Sequence, residues 1–341
     1  MKTLVTGAAG QVGCRLVRQL LERNHEVRGT VLVEDPALER VEGLDIELVA
    51  GDLTDGAFTR RAVRGMDAVI HTANLVGPYF ENNVRTNLEV ARACGEAADA
   101  LDRYIYVSSS GVFPNNGEVL ACAYHPVDEQ HPKRPDSEYS LSKLIGEEVA
   151  EMVARCTGLR TVIVRPSHVL SGTAIFKQFT VACVCSVLRK AENNPKSELY
   201  AGEGRKLWEE VEARAEDPDQ PCSVRDLDGR PWYYQPNDAR DIAGCLVCAL
   251  EAPGALDASF NAGAPAPFTF PEGAGMLAEI TGREPLEVRL PVRWRYDHDI
   301  TRAKSWIGYR PRGDLETMMA SARAVAGGEY VDYTWEGEAP R

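Results

Sequence analysis

The chain is 341 residues long, and its 51 acidic against 38 basic side chains give a formal net charge of −13 at neutral pH. Apolar residues make up 44% and charged residues 26% of the sequence, as in an ordinary globular protein. The acidic balance argues against nucleic acid and against an anionic membrane surface as partners, because both require concentrated Lys and Arg. A chain of this length is expected to form about two domains, or one large α/β unit with an added lobe.

The distribution of apolar residues and cysteines predicts a cytoplasmic protein. No apolar run reaches the roughly 18 residues of a membrane span, and the run after Met1 is too short for a signal-peptide core. The nine cysteines are an odd number and lack the dense spacing of a disulfide scaffold. We therefore expect mostly buried thiols in a reducing compartment.

Strand and helix patterns alternate through the first 165 residues. Strands are predicted at 2–6, 26–33, 46–50, 67–72, 103–108 and 160–164. Helices are predicted at 11–23, 55–64, 80–98 and 139–156. Such alternation is typical of a parallel sheet covered by helices on both faces, so residues 1–170 are predicted to form a doubly wound α/β domain.

The alternation weakens in residues 171–341, which are predicted to form a smaller C-terminal lobe with some interleaved elements. Helices are predicted at 174–191, 207–215, 238–251, 270–281 and 314–326, with short strands at 232–235 and 259–261. Residues 192–230 are highly charged and interrupted by prolines. We predict that they form an excursion or lid without a core of its own.

A glycine-rich loop connects the first strand to the first helix, with glycines at 7, 10 and 13. Glycines at these points permit a tight turn and a close approach of the backbone to a pyrophosphate. The N-terminus of the following helix offers unpaired N–H groups to the same phosphates. The loop, including Gln11 and Val12, is therefore predicted to bind a dinucleotide.

Residues after the second and third strands are expected to contact the adenosine half of such a ligand. Asp52 can accept a hydrogen bond from the adenine amine, or it can cap the next helix. An acidic residue ending the second strand favours NAD and an Arg favours NADP. Arg28 and Thr30 shift the prediction slightly toward NADP, while Asp35 comes late for NAD.

Tyr139 and Lys143 lie four residues apart at the start of a predicted helix, so their side chains share one face. An ammonium beside a phenol favours the phenolate and makes the tyrosine a credible acid/base. Ser108, Ser109 and Ser110 follow the fifth strand, at the edge of the sheet where ligands bind.

The glycine loop, the serines after the fifth strand and the Tyr-x-x-x-Lys pair together resemble the extended, epimerase/dehydratase-like branch of the short-chain dehydrogenase/reductase superfamily. The similarity also includes segments His71-Thr72-Ala73, Asn82-Asn83-Val84 and Arg165-Pro166. It covers residues 1–170 well and 231–330 loosely. The resemblance implies a Rossmann domain that binds NAD or NADP, and a small C-terminal substrate-binding lobe.

The resemblance also implies roles for individual residues. Tyr139 would be the acid/base, Lys143 would hold the nicotinamide ribose and lower the tyrosine pKa, Ser109 would orient the substrate, and Asn83 would support the site. The implied cofactor-binding residues, besides Tyr139 and Lys143, are Gly7, Gly10, Gln11, Val12, Gly13, Arg28, Thr30, Asp52, Leu53, Ala73 and Pro166. The candidate substrate contacts are Ser110, His168 and Trp232.

The reaction expected from this resemblance is reversible hydride transfer at a secondary alcohol or ketone of a sugar-like or other carbonyl substrate. It would end in a released ketone or in epimerisation. Dehydration is disfavoured, because Ser110 and Gly111 stand where a dehydratase would carry acidic residues. Arg230 is displaced from the position expected to clamp a nucleotide diphosphate. The alternative is a non-catalytic NAD(P)-binding regulatory or scaffold protein, although such relatives typically lose the Tyr or the Lys.

Two further expectations concern assembly and metals. Helices 80–98 and 139–156 are expected to pair two chains into a homodimer, as is common in this branch. No metal site is expected, since Cys245 and Cys248 lack a second cysteine pair. The Asp297-His298-Asp299 segment is interpreted as the cap of the next helix.

Overall fold

A computed structural model of the chain describes residues 1–75, 77–114, 117–329 and 332–335. Seven parallel strands form the main sheet, in the order β11-β6-β5-β4-β1-β2-β3. The strands of the whole chain are β1 Lys2–Thr6, β2 Glu26–Val31, β3 Glu47–Ala50, β4 Ala68–His71, β5 Arg103–Val107, β6 Thr161–Pro166, β7 Val169–Leu170, β8 Cys222–Asp226, β9 Tyr233–Tyr234, β10 Asn237–Asp238, β11 Ala258–Ala262, β12 Phe268–Thr269, β13 Leu286–Leu290 and β14 Arg295–Tyr296.

Helices cover both faces of this sheet. They are α1 Gly13–Glu22, α2 Gly56–Val63, α3 Phe80–Glu96, α4 Glu138–Thr157, α5 Val181–Ala191, α6 Leu207–Glu212, α7 Ala239–Glu251, α8 Phe270–Thr281, α9 Thr301–Trp306 and α10 Leu315–Ala326. Helices α1 and α7 pack on one face, where Leu16 and Leu246 are fully buried. Helices α2, α3 and α4 cover the other face, around Val90 and Ala150. The predicted doubly wound α/β fold is confirmed.

The sequence explains these elements directly. The central strand β4 is buried along its whole length, as expected for a parallel strand covered on both faces. The longest helix, α4, begins after Ser137, whose hydroxyl accepts the Ser140 N–H. It ends at Gly158, which takes the left-handed conformation that favours glycine.

The second lobe contains more strand than predicted. Strands β12, β9 and β14 form one small sheet and β13 pairs with β8 in another, and the predicted helix 174–191 is split. Only Val181–Ala191 is α-helical, because the Thr180 hydroxyl accepts the Cys183 N–H and starts the helix there. The lobe also returns one strand to the main sheet, since β11 pairs with β6.

Residues 192–230, predicted to form an excursion or lid without a core of its own, contribute side chains to the core of the second lobe. Leu199, Leu207, Val211 and Val224 are buried within the apolar core of the lobe. The charged side chains of this stretch lie on the outside of a segment that supplies core residues. Its apolar residues are too widely spaced to signal this from the sequence alone.

All nine cysteines are free thiols, and five of them are buried. Among the described residues, no helix is both long enough and apolar enough to cross a membrane.

Candidate active site

A cleft of about 1070 Å³ opens at the carboxyl ends of the main strands, between the sheet and the second lobe. Almost every residue predicted to bind cofactor or substrate lines it. The lining residues that the sequence predicted are Gly7, Gly10, Gln11, Val12, Gly13, Thr30, Asp52, Leu53, Ala73, Asn83, Ser109, Ser110, Tyr139, Lys143, Pro166 and His168. Arg28 and Trp232 are not part of this wall.

The glycine loop forms one end of the cleft, and its backbone is tightly folded. The Gly10 N–H donates to the Gly7 carbonyl at 2.9 Å. A Cβ on Gly13 would lie 2.1 Å from the same carbonyl oxygen, so no larger residue fits there. Helix α1 begins without a side-chain cap at Val12, so no capping side chain competes with a ligand at its N-terminus. This end of the cleft therefore fits a pyrophosphate.

The adenosine end departs from the sequence-based expectation at Arg28. Its guanidinium pairs with Glu47 at 2.8 Å and donates to the carbonyls of Ala62 and Arg64 at the end of α2. Arg28 lies three residues before the end of β2, so it binds the carboxyl end of α2 and does not reach the cleft. The prediction that Arg28 contacts the cofactor is wrong.

Two acidic residues do line the adenosine end. Asp52 accepts the Thr54 N–H in a local turn, while Asp55 caps α2, so the alternative cap role for Asp52 is wrong. Asp35, which the sequence placed too late after β2, is brought back into the wall, and its carboxylate accepts the Ala37 N–H at 3.0 Å. A carboxylate rather than a guanidinium therefore faces this part of the cleft.

Helix α4 places Tyr139 and Lys143 beside strand β5. The Lys143 ammonium is buried and donates to the Val107 carbonyl at 3.0 Å. A Cβ on Gly146 would lie 2.0 Å from the Tyr106 hydroxyl oxygen, so glycine is required for this close approach of helix to strand. Tyr139 is 44% exposed, whereas Lys143 is 3% exposed. The phenol thus faces the cleft with the ammonium behind it.

The ionisation of this pair differs from the prediction in one respect. Burial against the cleft wall raises the pKa of Tyr139, and a hydrogen bond with Ser109 acts in the opposite direction. Burial lowers the pKa of Lys143 to about 8. The Lys143 nitrogen lies 5.9 Å from the centroid of the Tyr139 ring. The resemblance implied that Lys143 lowers the pKa of this tyrosine, and in the structure the hydrogen bond with Ser109 acts in that direction.

Ser109 and Asn83 hold the loops on either side of Tyr139. The Ser109 hydroxyl accepts the Gly111 N–H at 3.1 Å and starts a short 3-10 turn. The Asn83 amide binds both the N–H and the carbonyl of Leu75 at 2.9 Å, which fixes the loop after β4. Asn83 thus holds the loop after β4, and the supporting role that the resemblance implies for it stays a prediction.

The sequence reasoning missed Glu147, which anchors α4 one turn beyond Lys143. Its carboxylate is fully buried and accepts hydrogen bonds from Ser108 at 2.6 Å and from Arg165 at 2.7 and 2.9 Å. Lys133 adds a contact at 2.8 Å. Burial alone would raise the pKa of Glu147, but Arg165 and Lys133 outweigh it and hold the pKa below its usual range. The sequence signal that could have indicated this anchor is the position of Glu147, four residues after Lys143 in the same predicted helix.

A second buried network was also missed. His71 lies between the Thr6 hydroxyl at 2.7 Å and the Asn87 amide oxygen at 3.1 Å, and Asn87 donates to the Ser142 carbonyl. Burial lowers the pKa of His71 to about 3, so this imidazole is neutral. The network links strands β1 and β4 to α4 below the cleft.

Aromatic and charged side chains of the second lobe form the far end of the cleft. The Tyr234 hydroxyl bonds to His168 Nδ1, and Ser110 and the Tyr296 hydroxyl are 3.3 Å apart. Lys190 pairs with the buried carboxylate of Glu118 at 2.5 Å. His168 and Ser110 therefore lie where the sequence placed them.

Trp232 does not reach this wall, so its predicted substrate contact is wrong. The indole is fully buried, donates to the Val292 carbonyl at 2.9 Å and packs edge-on against Phe270. Tyr234 and Trp294 from the same aromatic cluster line the cleft instead. Trp232 precedes strand β9, and its ring packs against Phe270 and Trp294 inside the aromatic cluster.

Comparison with known proteins agrees with the family resemblance inferred from the sequence. The profile of the NAD dependent epimerase/dehydratase family matches residues 3–263. A short-chain dehydrogenase/reductase superfamily protein from Agrobacterium tumefaciens, solved with bound NAD, is 27% identical with a TM-score of 0.76, and the match covers 96% of this chain and 98% of that one. A UDP-glucuronic acid 4-epimerase from Bacillus cereus shares the fold at 20% identity, with a TM-score of 0.68 and coverage of 97% and 100%.

Curated relatives are similar over a shorter stretch. Sterol demethylase protein B of Methylococcus capsulatus is 31% identical over 180 residues, which is 50% of this chain and 52% of that protein. Uronate dehydrogenase of Pseudomonas syringae is 33% identical over 170 residues, or 48% and 58%. The chain thus matches about half the length of these relatives.

Proposed function

The chain belongs to the NAD dependent epimerase/dehydratase family, and we propose that it is an NAD-dependent oxidoreductase or epimerase acting at a secondary alcohol or ketone. The observation that carries this proposal is a single cleft that holds both the glycine loop and the Ser109, Tyr139 and Lys143 side chains. A dinucleotide-binding loop and an acid/base in one cleft are the two parts that hydride transfer requires.

The chain's own residues fit the cofactor. The tight loop ending at Gly13 and the uncapped start of α1 would hold the pyrophosphate, and the Lys143 ammonium would hold the ribose next to the nicotinamide. NAD, when bound, supplies the group that accepts or gives the hydride.

Proton transfer would then be the task of Tyr139. Because its pKa is raised, the phenol keeps its proton near neutral pH and can donate it to a developing alkoxide when a ketone is reduced. In the opposite direction the Tyr139 oxygen accepts the proton of the alcohol. Ser109, hydrogen-bonded to the phenol, would orient the substrate oxygen toward it.

The structure favours NAD over NADP as the cofactor. Asp35 lines the adenosine end of the cleft, while the Arg28 guanidinium is occupied at the end of α2. A carboxylate accepts hydrogen bonds from ribose hydroxyls and repels a 2′-phosphate. We expect NAD to bind at least about tenfold more tightly than NADP, a difference of about 1.4 kcal/mol. Titration of the wild type and of Asp35→Asn tests this, and an unchanged preference in the variant would contradict the role of Asp35.

The substrate that fits best is a sugar-like alcohol without a nucleotide diphosphate. Ser110, His168 and the Glu118–Lys190 pair supply polar groups suited to hydroxyls. Arg230, the residue considered as a diphosphate clamp, lies outside the cleft and pairs with Asp228 at 3.2 Å. The similarity to a protein named uronate dehydrogenase is compatible with a sugar-derived substrate.

A substrate screen tests the proposed activity. Purified chain is incubated with NAD and a panel of free sugars, uronic acids and UDP-sugars, while NADH absorbance and product stereochemistry are followed. Ligands that copurify are identified by mass spectrometry. We expect turnover of a free sugar or sugar acid that falls at least a hundredfold in Tyr139→Phe, at the lower end of the effect of a general acid/base, about 10²–10⁴. Tight NAD binding without turnover of any panel member would favour the non-catalytic alternative.

A further inference from the structure

Three side chains with metal-binding donors converge away from the cleft. The donor atoms of Cys122, His125 and Glu198 all lie within 4.8 Å of one another. His125 Nε2 is 3.0 Å from Glu198 Oε1, which also accepts the Cys122 backbone N–H at 3.0 Å. The His125 and Glu198 side chains are 7% and 11% exposed. The cluster is therefore shielded from water while remaining close to the surface.

Neighbouring groups orient these donors. Asp297 Oδ1 lies 2.7 Å from His125 Nδ1 and fixes the ring with Nε2 directed at Glu198. Arg295 donates to Glu198 Oε2 at 3.2 Å, which leaves Oε1 directed at the histidine. A carboxylate behind a histidine is the usual support of a zinc-ligating imidazole. Two independent contacts thus direct one oxygen and one nitrogen to the same point.

We propose that Cys122, His125 and Glu198 bind a divalent transition metal, with zinc the ion that best fits the donors. Thiolate, imidazole and carboxylate are the zinc ligands found in proteins, and a solvent molecule would complete a tetrahedron. In a tetrahedral site with bonds of about 2.0–2.1 Å, two ligand atoms lie about 3.3 Å apart. His125 Nε2 and Glu198 Oε1 are 3.0 Å apart, so they need to separate by only a few tenths of an ångström. Rotation of the Cys122 side chain would bring the sulfur to bonding distance.

Charge balance permits a zinc ion to replace protons in this cluster. With a carboxylate at each ring nitrogen, an imidazole that carries both N–H protons donates one to Asp297 and one to Glu198. Zinc binding would displace the Nε2 proton and the thiol proton, so two protons leave as one dication enters. The formal charge of the cluster is then unchanged, and Nδ1 keeps its proton and its bond to Asp297.

The site would connect three separate segments of the chain. Cys122 and His125 belong to the loop between β5 and α4, Glu198 to the stretch after α5, and the supporting Asp297 follows β14. The loop begins near Ser109 and ends at the helix that carries Tyr139. A bound metal would therefore tie the loop that connects these two residues to the second lobe.

Cobalt serves as the spectroscopic probe for this site. The full chain is treated with EDTA, transferred to metal-free buffer and titrated with Co²⁺ alone. We expect saturation at one equivalent, with visible bands of tetrahedral cobalt and a thiolate-to-cobalt charge-transfer band, both removed by added Zn²⁺. A higher melting temperature with zinc is expected in parallel. The absence of a saturable charge-transfer band in the wild type would overturn the proposal.

Variants assign the donors. Cys122→Ser should lose the charge-transfer band, while Cys156→Ser, at an exposed cysteine on α4, should retain it. Asp297→Asn should weaken cobalt binding about 10–100-fold, the usual effect of removing the support behind a ligand. A band that persists in Cys122→Ser would place the metal on another cysteine and overturn the assignment. Because Ser is nearly isosteric with Cys, both Cys122→Ser and Cys156→Ser are expected to fold.

Discussion

The buried Glu147 carboxylate offers a sharp test of how the candidate active site is held together. It accepts two hydrogen bonds from Arg165, and the side chains of the pair are 0% and 2% exposed. It also anchors Ser108, the residue before Ser109, at 2.6 Å. Glu147→Gln keeps the shape of the side chain, removes its charge and turns an amide N–H₂ toward the Arg165 donors.

The expected cost follows from the burial of the pair. Removing one partner leaves the other charge buried without compensation, which typically costs about 3–5 kcal/mol. Net stabilities are typically about 5–15 kcal/mol, so the variant should lose a large share of its free energy of unfolding. The effect should depend on pH. Because the pKa of Glu147 is lowered in the folded state, its contribution is present above its ordinary pKa and is lost as pH falls through the depressed value.

Urea unfolding measured at pH 7 and at lower pH is the assay, with Glu148→Gln as the control. Glu148 is the next residue on the helix, its side chain is 60% exposed, and it lies 4.0 Å from Lys133. The control should stay within about 0.5 kcal/mol of the wild type. If Glu147→Gln unfolds at the same urea concentration as Glu148→Gln, the buried pair does not stabilise α4 and this reasoning fails.

Three further predictions concern Lys143, Trp232 and the oligomeric state. The pKa of Lys143 is about 8, so turnover should decline as pH rises through this value and the ammonium is lost; a pH profile of Lys143→Met that keeps this decline would contradict the assignment. Trp232→Ala should destabilise the chain by about 3–5 kcal/mol in thermal or urea unfolding, while Trp232→Phe should leave KM for the substrate unchanged, since the indole lies outside the cleft. Light scattering should give the mass of two chains, and dimer formation should weaken when a charge replaces Leu141, a 41% exposed residue on α4; a particle of one chain would exclude the homodimer.

The parts of the fold that were predictable are those with a strong local signal. Strand β1 and helix α8 have the predicted bounds, because an apolar run bounded by Gly7 and a capping box at Thr269 mark their ends. The small strands β8 and β13 were not predicted. They are short, partly polar, and pair with each other across more than sixty residues, so nothing local identifies them.

In the candidate site too, residues in local motifs were predictable, whereas residues positioned by distant partners were not. Gly13, Tyr139 and Lys143 carry motifs whose spacing is readable, and all three line one cleft. Arg28 was misplaced because its competing partners at the end of α2 are distant in sequence. The donors Cys122 and Glu198 are likewise separated by a long stretch of chain, so only the fold brings them together.

The most direct test of the central claim is the rate of hydride transfer in Tyr139→Phe. With the proposed substrate and saturating NAD, this variant should lose about 10²–10⁴ in the rate of a single turnover, or about 3–5 kcal/mol of transition-state stabilisation. Its affinity for NAD should fall far less than this rate, since only one hydroxyl is removed from a side chain that faces the cleft. A single-turnover rate within about threefold of the wild type would mean that another group moves the proton, and the acid/base role of Tyr139 would be wrong.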